Sequence, residues 1–213
     1  MPDALLLDLD GVLVDSARVH AAAWESLFAE HGIAFGWERY RLEANGRSRG
    51  AVIRAVLGHR SDHQALMARK AALVQERLDL SGCPVVEGAR ALLVEARSRR
   101  IPLAIATASR MPHALVQAAG LKTLAPDVVV DRNMVDRGKP WPDVYKLAAK
   151  MLGVSPARCL VVEDSPAGLR AGRAAGCITV ALTTTHPRAD LQTQSDHVID
   201  HLSQLWTVWD ALP

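Results

Sequence analysis

The chain has 213 residues, 49% of them apolar, with 25 Lys and Arg against 23 Asp and Glu and a net charge of +2. This is enough apolar material for one good core and a smaller accessory domain, and it places the chain among soluble globular proteins. The basic residues are scattered, which excludes the tail or stripe that nucleic acid or a membrane surface would select, so the expected partner is a small molecule.

No basic segment precedes an apolar run with a cleavage site, and no apolar run approaches spanning length. Cys83, Cys159 and Cys177 are odd in number and lack metal-ligand spacing, so they read as buried free thiols in a reducing, cytoplasmic compartment.

In chain order, the first strand-like run is Ala4 to Leu7, and it ends on two aspartates, Asp8 and Asp10, within "ALLLDLDGVLVDS". Residues 17–80 are helical in pattern. "SARVHAAAWESLFAEHG" sets Trp24, Leu27 and Phe28 at helical spacing, and "DHQALMARKAALVQERL" sets Met67, Ala71, Val74 and Leu78 on one stripe. The chain rejoins the strand pattern through "SGCP" at 81–84. Helical stretches over 88–100, 111–119, 141–152 and 166–175 then alternate with the strand runs "IPLAIAT" (101–107), "DVVV" (127–130), "CLVVED" (159–164) and "CITVAL" (177–182). These runs are short, β-branched and nearly unalternating, as strands buried on both faces are. Leu202, Leu205, Trp206, Trp209 and Leu212 form a last helical stripe. The expected fold is α/β, a Rossmann-like parallel sheet core over 1–16 and 81–213 with an inserted α-helical cap domain over 17–80.

Open parallel sheets bind ligands outside the carboxyl ends of their strands. Asp8 and Asp10 end the first strand, Thr107 to Ser109 end the second, and Glu163 and Asp164 end the "CLVV" strand. Lys139, in "RGKPWPD", sits in a loop that opens a helix. A simpler reading makes Asp10-Gly11 a hairpin turn, which leaves Asp8 unexplained. Ser165 and Pro166 also suit a helix start, and acidic residues suit its positive end. Converging four carboxylates costs about 4 kcal/mol per close pair at an effective dielectric near 20, more than one lysine offsets. A hard divalent cation such as Mg2+, shared with a substrate phosphate, offsets it.

"DLDGVLVDS", Thr107 in "IATAS", Lys139 in "GKPWPD" and "VVEDS" resemble, in order and spacing, the four motifs of the haloacid dehalogenase superfamily of phosphotransferases, over the whole chain. The resemblance implies Asp8 as nucleophile and Mg2+ ligand, forming an aspartyl-phosphate. It implies Asp10 as general acid and base, with its main-chain carbonyl on the metal. Thr107 would bond the transferring phosphoryl group, Ser109 would contact substrate, Lys139 would balance charge, and Asp164 with Glu163 would complete the metal site. True dehalogenation needs neither Mg2+ nor the second carboxylate.

In the insertion, His20 shares a stripe with Trp24; "NGRSRG" (45–50) reads as a glycine-bounded loop carrying Arg47 and Arg49; and Lys70 borders an apolar stripe, where snorkelling is its default reading. These details resemble the β-phosphoglucomutase branch. By that resemblance His20 relays a proton or holds Asp10, Trp24 lies beside it at the substrate, Arg49 grips a distal phosphate and Lys70 contacts the sugar. "ALTTTHPRADL" resembles the sugar-phosphate phosphatases instead. Hydrolysis follows if the cap admits water to the aspartyl-phosphate, and mutation follows if it does not. The preferred reading is a Mg2+-dependent phosphatase of small phosphorylated metabolites, acting as a monomer; the alternatives are β-phosphoglucomutase and a catalytically silent metabolite sensor. Gly168 and Gly172 read as close helix-to-sheet packing, Gly176 as a helix stop, "RSRR" at 97–100 as a helix end, and His186 as a helix start in preference to the rim of the site.

Overall fold

The structure, a computed structural model, describes residues 1–44, 47, 49–58, 62–126 and 128–213. It comprises two compact units, Met1–Asp15 with Pro84–Pro213, and Ser16–Cys83. The chain runs from β1 (Ala4–Leu7) into helices α1 (Ser16–Ala29), α2 (Trp37–Arg39), α3 (Arg49–Leu57) and α4 (His63–Ser81). Alternation follows, with α5 (Ala89–Ser98), β2 (Leu103–Ala106), α6 (Pro112–Ala118), β3 (Val128–Val130), α7 (Asp143–Leu152) and β4 (Cys159–Glu163). It closes with α8 (Pro166–Ala175), β5 (Ile178–Leu182), α9 (Arg188–Leu191), β6 (His197–Ile199) and α10 (Leu205–Ala211).

All strands pair in parallel, in the order β3-β2-β1-β4-β5-β6. The chain leaves β1 toward β3 on one side and reaches β4, β5 and β6 on the other, so the sheet reverses its winding between β1 and β4. The crevice at the carboxyl ends opens there. Leu7 is in register with Ile105 and Val162. One residue further, the Asp8 N–H donates to the Val162 carbonyl at 3.0 Å and the Thr107 N–H to that of Val130 at 2.9 Å, so the ladder itself fixes where two site residues start. Because β1, β2 and β4 are buried along their whole length, their sequences show no alternation. The sequence reading contains no strand over His197–Ile199; three residues carry too little pattern to show one. Asp127, the first residue of the expected third strand, lies outside the described residues.

On one face of the sheet, Val144, Tyr145, Ala148 and Ala149 of α7 pack with Ala171 and Ala175 of α8 against Ala4, Leu6, Ala104 and Val161. Gly172 lets α8 come close. A Cβ there would stand 2.9 Å from Thr179 Cγ2 and 3.3 Å from Val161 Cγ1. Gly176, at φ +88°, ends the helix as expected. Cys83, Cys159 and Cys177 are all buried free thiols.

Asp10-Gly11 is not a hairpin turn. Gly11 takes φ +80°, its N–H bonds the Val14 carbonyl at 2.8 Å, and the N–H groups of Leu13 and Val14 both reach the Leu9 carbonyl, so the chain folds into a tight loop. Asp10 consequently bridges Val14 in parallel. Val14 then pairs antiparallel with Val85, and the Asp15 N–H donates to the Pro84 carbonyl at 2.8 Å.

In the helical unit, α1 buries Val19, Trp24, Leu27 and Phe28, with Trp24 stacked on Phe28 at 5.3 Å between centroids. The inward stripe of α4 is Leu66, Lys70, Leu73, Val74 and Leu78. The expected stripe is therefore turned by one position over its first half, and Met67 is 37% exposed. Lys70 occupies an inward place that an apolar pattern cannot assign to a lysine. At the chain end, Leu205 and Trp209 of α10 are buried while Trp206 and Leu212 are half-buried. Among the described residues, no helix is long and apolar enough to cross a membrane.

Filling the space at Gly172 should cost stability without touching the carboxyl-end crevice. Gly172→Val is expected to lower the unfolding free energy by about 1–3 kcal/mol, the usual range for overpacking, read from urea midpoints at constant slope.

Candidate active site

Asp8, Glu163 and Asp164 come from the ends of the neighbouring strands β1 and β4, and all three are buried. Each offers a carboxylate oxygen within 4.8 Å of the others. Lys139 reaches in from the segment before α7. Its ammonium donates to Asp8 Oδ1 at 2.7 Å, Glu163 Oε1 at 2.7 Å and the Ala106 carbonyl at 3.0 Å, which uses all three of its protons. Burial disfavours its charge, yet the Asp8 and Glu163 carboxylates outweigh that and hold Lys139 protonated well above the ordinary lysine range.

Glu163 is 0% exposed and its carboxylate is fully engaged. Oε1 accepts from Lys139 and from the Tyr145 hydroxyl at 2.9 Å; Oε2 accepts from the Asp164 N–H, the Ser165 N–H and the Ser165 hydroxyl. Burial alone would raise its pKa, but Lys139 and Ser165 bring it below the usual value. Five donors make Glu163 the anchor of Lys139, while its carboxylate stays within the acidic group formed with Asp8 and Asp164. Gly168, one turn into α8, makes the space, since a Cβ there would lie 1.6 Å from Glu163 Oε1. Ser165 also caps α8 as expected, accepting from the Gly168 N–H at 3.1 Å.

Asp8 and Asp164 have the opposite balance. Burial, set against the pull of Lys139 and reinforced by Glu163 and Asp10, pushes Asp8 up to about 7. Burial together with the charges of Glu163 and Asp8 raises Asp164 well above the carboxylate range. Two buried acids with a neighbour's lysine already spent form a donor set that a hard divalent cation fits. The sequence reading puts the Asp10 carbonyl on that metal; its carboxylate is turned to Thr107, whose hydroxyl donates to Asp10 Oδ2 at 3.3 Å. The Thr107 oxygen accepts the Ser109 N–H at 2.9 Å, and the Ser109 hydroxyl accepts the Met111 N–H at 3.2 Å, so Ser109 shapes the entry to α6.

Tyr145, Thr184, Thr185 and His186 also belong here and are absent from the predicted site. The polar run "TTTH" directly after a strand was the available signal. His186 does not start a helix: its Nδ1 lies 3.0 Å from the Asp164 carbonyl, and α9 begins at Arg188.

Residues 2–176 match the family described as haloacid dehalogenase-like hydrolase. The chain belongs to this family. Among its relatives in the family, hexitol phosphatase A of Escherichia coli (strain K12) is 36% identical over 94% of this chain and 91% of its own length. Beta-phosphoglucomutase of Bacillus subtilis (strain 168) is 31% identical over 95% of each. A HAD family hydrolase from Deinococcus radiodurans R1, solved with bound phosphate and sodium, superimposes with a TM-score of 0.80 at 32% identity, covering 97% of this chain and 94% of that one. The protein is thus an enzyme of the phosphohydrolase kind, and the silent-sensor alternative is set aside.

The helical unit gathers its own predicted residues. Lys70 does not snorkel; it is 1% exposed, with Nζ 3.2 Å from His20 Nδ1 and 4.9 Å from the Trp24 ring centre. Trp24 is buried, with its ring beneath that ammonium. Arg49 opens α3 instead of lying in a loop, while Asn45, Gly46 and Ser48 of "NGRSRG" lie outside the described residues. Burial and the charges of Lys70 and Arg49 bring His20 down to about 3, so its neutral ring accepts the Lys70 proton at Nδ1. Burial, then Arg49, brings Lys70 down to about 7.

Lys70 titrates near 7 when folded and near 10.5 when unfolded, so between those values the unfolded chain holds the extra proton and stability rises with pH. Lys70→Met should remove that rise. Urea midpoints of both proteins at about pH 7.5 and about pH 9.5 would test it, with wild type gaining more than the variant on going up.

Proposed function

We propose that the protein is a Mg2+-dependent phosphatase of small phosphorylated metabolites, of the sugar-phosphate class, working as a monomer through an aspartyl-phosphate on Asp8. The observation that carries this reading is the buried Asp8–Lys139–Glu163 network beside Asp164 at the winding reversal of the sheet. The similarity to a hexitol phosphatase supports the substrate class.

Asp8 and Asp164 would hold the cation, with the Asp10 carbonyl, and the cation would neutralise the charge that gathers on the phosphoryl oxygens. The Asp8 carboxylate attacks phosphorus, forming the acyl phosphate as the ester P–O bond breaks. Asp10 gives its proton to the leaving oxygen. A water then attacks the same phosphorus, passes a proton to Asp10 and releases inorganic phosphate from Asp8. Lys139, immobilised by three acceptors, supplies positive charge that needs no rearrangement during either displacement. Thr107 keeps Asp10 in place between steps through its hydroxyl.

The second reading, β-phosphoglucomutase, draws on the His20, Lys70 and Arg49 cluster of the helical unit and on the Bacillus subtilis relative. Both products are followed after supplying Mg2+, β-glucose 1-phosphate and a trace of glucose 1,6-bisphosphate. The phosphatase reading predicts phosphate release without prior glucose 6-phosphate, or turnover only of other esters in a wider panel. Glucose 6-phosphate well ahead of phosphate would overturn it in favour of the mutase. Asp8→Asn should abolish turnover while circular dichroism and the thermal midpoint show an intact fold; substantial residual activity would remove Asp8 as nucleophile.

A further inference from the structure

The segment Thr184-Thr185-His186 follows β5 and has no place in the reaction described above, yet it touches both loops that carry the metal-binding acids. The Thr184 hydroxyl donates to the Gly11 carbonyl at 2.6 Å, in the loop behind Asp8 and Asp10. The Thr185 hydroxyl makes a short bond to Asp164 Oδ2 and lies 3.1 Å from the Asp164 carbonyl. His186 Nδ1 stands 3.0 Å from that carbonyl and 2.9 Å from Thr185 Oγ1.

With its proton on Nδ1, the His186 ring would donate to the Asp164 main-chain carbonyl, which only accepts. The single hydroxyl proton of Thr185 is then directed to the carboxylate. One oxygen of Asp164 thereby accepts a hydrogen bond, and both the side chain and the peptide of the ligand are held. Space acts in the same sense. A Cβ on Gly11 would fall 2.1 Å from Asp164 Oδ2 and 3.0 Å from Thr185 Cγ2, so the carboxylate is sandwiched between residue 11 and the threonine. Left unheld, a carboxylate raised in energy by Asp8 and Glu163 would turn away from them.

We infer that Thr185, backed by Thr184 and His186, is a positioning residue that sets the affinity of Asp164 for the divalent cation; the inference rests on the Mg2+ reading above. Partners one shell beyond a metal ligand are commonly worth 10–100-fold in affinity. Calorimetric titration of the protein with Mg2+ alone tests it on wild type, Thr185→Val and Thr185→Ser. Thr185→Val is expected to bind Mg2+ about 10–100-fold more weakly, and Thr185→Ser, which keeps the hydroxyl, to bind as wild type does. Circular dichroism in excess chelator should show an intact fold for all three. In turnover, the Mg2+ needed for half-maximal rate should rise in Thr185→Val while kcat at saturating Mg2+ is kept. Wild-type affinity in Thr185→Val, or a serine variant as weak as the valine one, overturns the inference. A wild type that binds no Mg2+ overturns the cation reading first and this inference with it.

Discussion

Everything at the carboxyl edge of the sheet depends on one lysine buried among carboxylates. Taking Lys139, Asp8 and Glu163 out of water costs several kcal/mol for each ion, and only complete pairing recovers it. The chain achieves that pairing by bringing four separate segments to one ammonium. Asp8 comes from β1, the Ala106 carbonyl from β2, Glu163 from β4, and Lys139 from the approach to α7. Tyr145 and Ser165 then complete Glu163. The same bonds that make burial tolerable also hold three strand ends in register with one helix. The order of the site and local stability are here a single network, and Gly168 is the empty space that lets it exist.

Much of this was legible in the sequence because it is local. Unalternating β-branched runs identify buried parallel strands, and polar residues placed where those runs stop identify the site. Asp8, Thr107 and Asp164 needed no contact information, only strand position, and Lys139, in a loop before a helix, was picked out by the resemblance of the four motifs. The role of Glu163 did need it. Its adjacency to Asp164 in sequence suggests a shared ion, whereas its two oxygens face two different sets of donors, which a linear pattern cannot distinguish. Lys70 shows the same limit in a helix. Periodicity sorts residues by type, so it places a lysine at the edge of a stripe, and only the neighbouring His20 and Trp24 explain why one is tolerated inside. β6 was hidden by its length, and Thr185 and His186 by distance along the chain, since the residue they orient lies about twenty positions earlier.

The two units divide the physical work unequally. The sheet unit pairs Lys139 and Glu163 so that both stay charged, and sets Asp8 and Asp164 beside them with their charge disfavoured. The helical unit carries a mismatched pair, a half-buried neutral histidine beside a lysine whose charge is strongly disfavoured. Such an arrangement is a standing cost in a protein of marginal stability, and proteins place costs of this kind where chemistry or recognition uses them.

The insertion enters and leaves through adjacent strands. Val14 lies opposite Val85, with Asp15 bonded to Pro84 and Val86 to Leu13. To the sheet, all of Ser16–Cys83 is therefore the tip of a two-stranded ribbon. Loop-closure entropy grows only with the logarithm of length, about 0.6 kcal/mol per doubling, so a tip of several helices asks only about 2–3 kcal/mol more of β1 and β2 than a tip of a few residues. The segment Ser16–Cys83 can be lengthened, exchanged or rebuilt while Asp8 keeps its register, which makes this ribbon the joint at which a different insertion can be fitted to the same sheet.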